Sequence, residues 1–247
     1  MRRHLSTTLL VLSLTATMPA RAVTLYATGF ESPTFAVGAI AGQNGWATFG
    51  PSGAIVQTAV VKTGTQAVEV FGSAPSQAGP YYAVALSDSI INVSADLYLA
   101  SSAAQSAWQF AATGSGLTGF TGGIDVSGTT IKAISGAFPT VGTFARDTWN
   151  HVEVILDFTS QTSTLKLNGV TLAASLPFCG SNGACTGALV AAFGDAIFDS
   201  FGGVGRTDFG VMDNFSIAAV PEASTWMQMG LGLIALGALA RRRASGR

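Results

Sequence analysis

Hydrophobic and polar positions alternate with a period of two through much of the chain, most cleanly in its second half. In Trp149–Phe158, Val152, Val154, Leu156 and Phe158 fall on one side and His151, Glu153 and Asp157 on the other, which predicts a strand with one face in the core and one in water. Asn168-Gly169 separates Thr164–Leu167 from Val170–Ala173. An Asn-Gly linker of this kind predicts a two-residue hairpin, because a type I′ turn needs positive φ at both central residues. Further short runs recur at Ala54–Val61, Ala67–Phe71, Tyr81–Leu86, Ile90–Leu99, Ala107–Ala112, Thr129–Ile134, Leu189–Phe193 and Val211–Ala218, interrupted by Gly, Asn, Pro and Ser. Many short strands between turn formers predict an all-β sandwich or barrel, built largely of antiparallel hairpins. Heptads and βαβ alternation are both missing from the pattern.

The pattern changes at both ends. Residues 1–22 carry Arg2 and Arg3, an apolar centre from Leu9 to Leu14, and the small-residue sequence Ala20-Arg21-Ala22. That is the layout of a secretory signal peptide, cut by signal peptidase before Val23. At the other end, Val220–Trp226 precedes an uncharged run, Met227–Ala240, and then Arg241, Arg242 and Arg243. A helix over those 14 residues spans roughly 21 Å, short of a hydrocarbon core of about 30 Å. The segment reads as a weak transmembrane helix whose arginines stay on the cytoplasmic side of the inner membrane. The chain thus divides into a signal peptide (1–22), a β domain (23–219) and a C-terminal segment (220–247).

Setting the two ends aside changes the charge balance. The whole chain has a formal charge of −1, but residues 23–219 keep only five of the 12 basic side chains and 12 of the 13 acidic ones, a formal −7. Such a domain lacks the basic footprint that nucleic acid requires.

Pro221-Glu222-Ala223, the short Gly- and Leu-rich span and the arginine cluster together resemble the PEP-CTERM sorting signal of Gram-negative bacteria. The resemblance implies processing by an exosortase, a membrane-embedded cysteine transpeptidase, and delivery to the cell surface or an exopolysaccharide matrix. Ala223 stands where the second proline of the motif is usual. Within the β domain, Trp149-Asn150-His151-Val152 followed by Leu165-Lys166-Leu167-Asn168-Gly169 resembles the concanavalin A-like and laminin G-like jelly rolls. Those families imply a two-sheet sandwich that often binds glycans on a concave face or edge loops, sometimes with calcium.

Candidate chemistry is sparse. Cys179 and Cys185 bracket a Gly- and Asn-containing loop, and two cysteines in an exported chain predict a disulfide staple. Trp46, Tyr81 and Tyr82 are candidate glycan contacts, with Tyr81 and Tyr82 on opposite faces of their strand. Asp195, Asp199 and Asp213 are weak candidates for calcium, which takes hard oxygen ligands, although no EF-hand spacing is present. No other cofactor is expected. His151 is the single histidine of residues 23–219, and Glu153 and Asp157 lie four strand residues apart, about 13 Å, too far for a glycosidase pair. The expectation is a non-catalytic domain that binds exopolysaccharide or serves structurally. The alternative is a glycan hydrolase or polysaccharide lyase on the same fold.

Overall fold

The computed structural model describes residues 22–50, 53–73, 77–101, 106–114, 119–136, 138–179, 190–201 and 204–220. The signal-peptide residues Ala20 and Met1–Arg21 generally, Cys185, the motif Pro221-Glu222-Ala223 and the span to Ala240 lie outside them. Ala22–Pro221 forms one compact unit. No helix among the described residues is long and apolar enough to cross a membrane.

Among the described residues all regular structure is β, in two antiparallel sheets. The strands of the first are β1 (Val23–Thr28), β2 (Gly38–Ala39), β4 (Gly53–Gln57), β5 (Ala67–Ser73), β7 (Ile90–Leu99), β12 (Trp149–Asp157), β13 (Thr162–Leu167), β14 (Val170–Pro177) and β16 (Val204–Ala219). Its order is β14-β13-β12-β7-β16-β5-β4-β2, and β1 pairs with the second half of β16. The second sheet contains β3 (Trp46–Phe49), β6 (Gly79–Leu86), β8 (Ala107–Gly114), β9 (Phe120–Ser127), β10 (Thr130–Ala133), β11 (Thr140–Thr143) and β15 (Phe193–Phe201), in the order β11-β10-β9-β8-β15-β6-β3.

The alternation read from the sequence fixes which side chains lie between the sheets. Val152, Val154 and Leu156 of β12 are fully buried while His151, Glu153 and Asp157 face out. Asn168 and Gly169 have φ of 51° and 78°, as a type I′ turn requires, and the Asn168 side-chain oxygen accepts the His151 N–H at 2.8 Å. The core is aromatic at one end. Phe30, Trp46 and Phe215 pack edge to face with centroids 5.0–5.4 Å apart, and Tyr26 stacks on Tyr82 at 4.0 Å.

The main departure from expectation lies in β15. The run expected at Leu189–Phe193 is displaced to Phe193–Phe201, and residues 193–200 are buried on both faces. Asp195 and Asp199, the weak calcium candidates, are residues of this central strand. The displacement has a physical cause: a strand covered on both faces need not alternate.

Candidate functional site

The outer face of the seven-stranded sheet carries a polar row built by strand register. Asp199 of β15 lies opposite Gln109 of β8, Gln109 opposite Asp125 of β9, and Asp125 opposite Lys132 of β10. Each residue alternates with inward-facing neighbours such as Trp108, Phe110, Ile124 and Val126, so the period that fills the core also aligns the row outside. The Gln109 amide donates to Asp125 Oδ2 at 2.9 Å, and Gln77 donates to Gln109 Oε1 at 3.0 Å and also to Asp199 Oδ2.

Asp199 is fully buried under Gln77, and its Oδ1 has no hydrogen-bond partner among the described residues. Burial pushes its carboxyl well above the usual carboxylate range; the Gln77 hydrogen bond opposes the rise and the charge of Asp125 adds to it. Gly79 makes room for this arrangement, because a Cβ there would lie 2.2 Å from the Phe198 carbonyl oxygen and 2.6 Å from Asp199 Cα.

The next row along the same face is apolar. Tyr81, Ile197, Ala111 and Gly123 are neighbours across β6, β15, β8 and β9. Ala111, Ile134 and Ile197 form a second buried cluster walled by the half-buried rings of Phe49, Tyr81, Phe120 and Phe138. The Phe49 and Tyr81 centroids are 6.2 Å apart. Beyond it Thr113 donates to Asp195 Oδ2 at 3.2 Å. The result is a ring-walled apolar strip between two polar rows, with half-buried Gln77, Gln109 and Asp125 at one margin. Planar amides and carboxylates beside aromatic faces are what recognise a ligand that is both hydroxylated and carbon-faced.

Of the residues singled out in the sequence, Tyr81, Asp195 and Asp199 therefore share this face. Trp46 does not: it is 2% exposed within the core, and its indole N–H donates to Tyr26 Oη at 3.1 Å. Tyr82 also turns inward against the core. Trp46 and Tyr82 are corrected to packing residues. Gln77, Gln109 and Asp125 were not singled out, although Trp108-Gln109-Phe110 and Ile124-Asp125-Val126 carry the signal in their alternation.

Asp213 sits in the other sheet, at a bulge in β16 where Asn214 has φ of 49°. Its Oδ2 accepts the Lys62 and Thr63 N–H groups, both at 3.0 Å, and its Oδ1 accepts the Asn214 N–H at 2.7 Å. Burial raises its pKa against those hydrogen bonds, and the charge of Glu31 adds to the rise. Glu31 accepts the Thr65 hydroxyl at 2.6 Å and the Thr65 and Gln66 N–H groups at 2.9 and 3.1 Å; the Thr65 hydroxyl is the main cause lowering its pKa, against a smaller effect of burial. Glu31 and Asp213 thus bracket the 62–66 turn. Asp195 and Asp199 are in the opposite sheet, so the calcium candidates do not form one site. Among the described residues no group of three or more His, Cys, Asp or Glu could hold a metal.

His151 pairs through Nδ1 with Asp96 Oδ1 at 3.0 Å, and Asn214 donates to Asp96 Oδ2 at 2.8 Å. The histidine is held by a structural network on the outer face of β12. Cys179 is fully buried and is not a free thiol.

Comparison with known proteins gives one sequence match and a set of structural ones. The PEP-CTERM protein-sorting motif matches residues 219–243. No curated protein sequence matches the chain. Among solved structures, the chain is similar to a cellulose-induced protein, Cip1, with a TM-score of 0.57, 16% identity, and coverage of 79% of this chain and 97% of that one. An endo-beta-1,4-glucuronan lyase from the fungus Trichoderma reesei gives 0.51 at 10% identity, covering 80% and 96%. A sialidase gives 0.54 at 11% identity over 70% of this chain; the chain spans only 17% of the sialidase. At these identities the likeness establishes a jelly-roll-like β-sandwich. The sorting motif implies export and processing at a membrane by an exosortase.

Proposed function

We propose that the exported sandwich binds a neutral polysaccharide on the outer face of its seven-stranded sheet and does not cleave it. The observation that carries this reading is the hydrogen-bonded row of Gln77, Gln109 and Asp125 beside a strip walled by Phe49, Tyr81, Phe120 and Phe138. Sugars offer hydroxyls to the amides and carboxylates and apolar ring faces to the aromatics. The domain's formal −7 favours a neutral chain over a polyuronate. Three of the most informative neighbours, by their names, are induced by cellulose or act on glycans, which supports a glycan without identifying it.

Access supports a non-catalytic role. The carboxyl with the most perturbed titration, Asp199, is covered by Gln77, and Asp125 is engaged by Gln109. Neither is presented to a glycosidic bond as an acid and base pair would have to be. In this reading the sorting signal belongs to a Gram-negative envelope and Cys179 pairs with Cys185 as a loop staple.

The test is affinity measurement against a panel of neutral and acidic polysaccharides. Gln109→Ala and Tyr81→Ala should each weaken binding about fivefold to tenfold, the effect of roughly 1–1.4 kcal/mol, while His151→Ala on the other sheet leaves it unchanged. No retention of any neutral polysaccharide would end the binding reading. Release of reducing ends or of unsaturated product would replace it with an enzyme.

A further inference from the structure

We infer that the corner of the sandwich where β1 meets the end of β16 is a docking surface for the exosortase, which therefore recognises the folded domain together with the motif. The inference rests on the sorting reading and adds a partner surface to it.

The first observation is an overlap. The matched sorting region begins at residue 219, yet Ala219 is the last residue of β16, paired with Val23 on one side and Ile91 on the other. Val220 donates its N–H to the Ile90 carbonyl at 2.9 Å. Two residues thus belong both to the sheet and to the sorting region, and Pro221 follows with no linker. One residue of extended chain covers only about 3.3 Å, so an enzyme that engages Pro221 and Glu222 must also touch the sheet.

The second observation is the character of the surface that it meets. Val23 and Leu25 of β1 are 56% and 42% exposed, two of the five large hydrophobic side chains exposed among the described residues. The register gives β1 one partner, β16, so its other edge is open among the described residues. Native edges are usually blunted by charge or proline, but Val23–Thr28 contains neither. An open, uncharged edge strand suits main-chain pairing with an extended segment of a partner. Its pairing with Ala219, two residues before Pro221 in sequence, points to the processing enzyme as that partner.

The experiment uses the full-length precursor in a host that contains the exosortase, with the ratio of unprocessed to processed protein as readout. Leu25→Glu combined with Ala27→Glu changes two exposed β1 side chains and leaves Val23, the residue after the signal peptide, intact. Unprocessed precursor should rise about fivefold, equivalent to about 1 kcal/mol, while Val170→Glu, at a still more exposed site on β14, processes normally. A six-residue Gly/Ser insertion between Val220 and Pro221 should also slow processing, because it separates the corner from the motif. Normal processing of the β1 variant, equal loss in Val170→Glu, or faster processing after the insertion would overturn the docking surface. Replacing Pro221 and Glu222 with Ala separates this from the underlying reading: normal release of that variant would refute the sorting role itself, whatever β1 does.

Discussion

Asp213→Asn tests how the acidic bracket holds the 62–66 turn to the central strand. The carboxylate accepts three backbone N–H groups, two on Oδ2 and one on Oδ1. An amide has one acceptor oxygen, so its nitrogen must face a donor in either orientation. The better orientation keeps Lys62 and Thr63 on the oxygen and sets the amide nitrogen against the Asn214 N–H. One charge-assisted bond is then lost and two become neutral, a cost of about 2–4 kcal/mol. Removing a buried charge returns part of this, leaving roughly 1–3 kcal/mol. For a domain of this size that lowers the melting temperature by roughly 3–10 °C, measured by calorimetry in chelator-containing buffer. Equal melting of wild type and variant at neutral pH would refute the reasoning.

Two further predictions concern the other acids. Asp199→Asn mimics the protonated carboxyl that burial favours. Its melting temperature should match wild type in acid and exceed it above the raised pKa, where wild type bears the cost of a buried charge; a variant less stable at high pH would show that the charged form is needed. Millimolar calcium added to the chelator-treated domain should leave the melting temperature unchanged, because the oxygens of Glu31 and Asp213 already accept backbone N–H groups and the Thr65 hydroxyl; a rise of several degrees that Glu31→Gln abolishes would show a cation site there.

The fold was legible where one face of a strand is wet. Trp149–Phe158 and the Asn168-Gly169 turn declare themselves because water on one side forces alternation. Strand β15 was not legible, since burial of both faces erases the period that would have marked it. The aromatics divide in the same way. Trp108 beside Phe110 could be assigned to the core from alternation alone, and Tyr81 and Tyr82 to opposite faces. Trp46 could not be placed, because its short strand gives too few positions to define a face. The candidate row depends on register between β15, β8 and β9, which no local pattern specifies. Its members were visible one at a time as outward positions, and only pairing brings Asp199, Gln109 and Asp125 into line.

The strand order also bears on why a sorting signal follows β16 directly. The last two strands in sequence fill the centres of the two sheets: β15 joins β8 to β6, and β16 joins β7 to β5. Without them each sheet is two separate pieces, and β1 has no partner at all. The pairing of Val23 with Ala219 is a contact of nearly maximal sequence separation, and such contacts must await the whole chain. Closure therefore cannot precede the emergence of residue 219 on the side where the domain folds. The motif emerges immediately afterwards, so Pro221 follows within two residues of a strand, β16, whose pairing with β1 exists only once the fold is complete. An enzyme that reads the β1 edge together with the motif would act on folded domains and pass over unfolded ones, a distinction that the motif alone cannot provide.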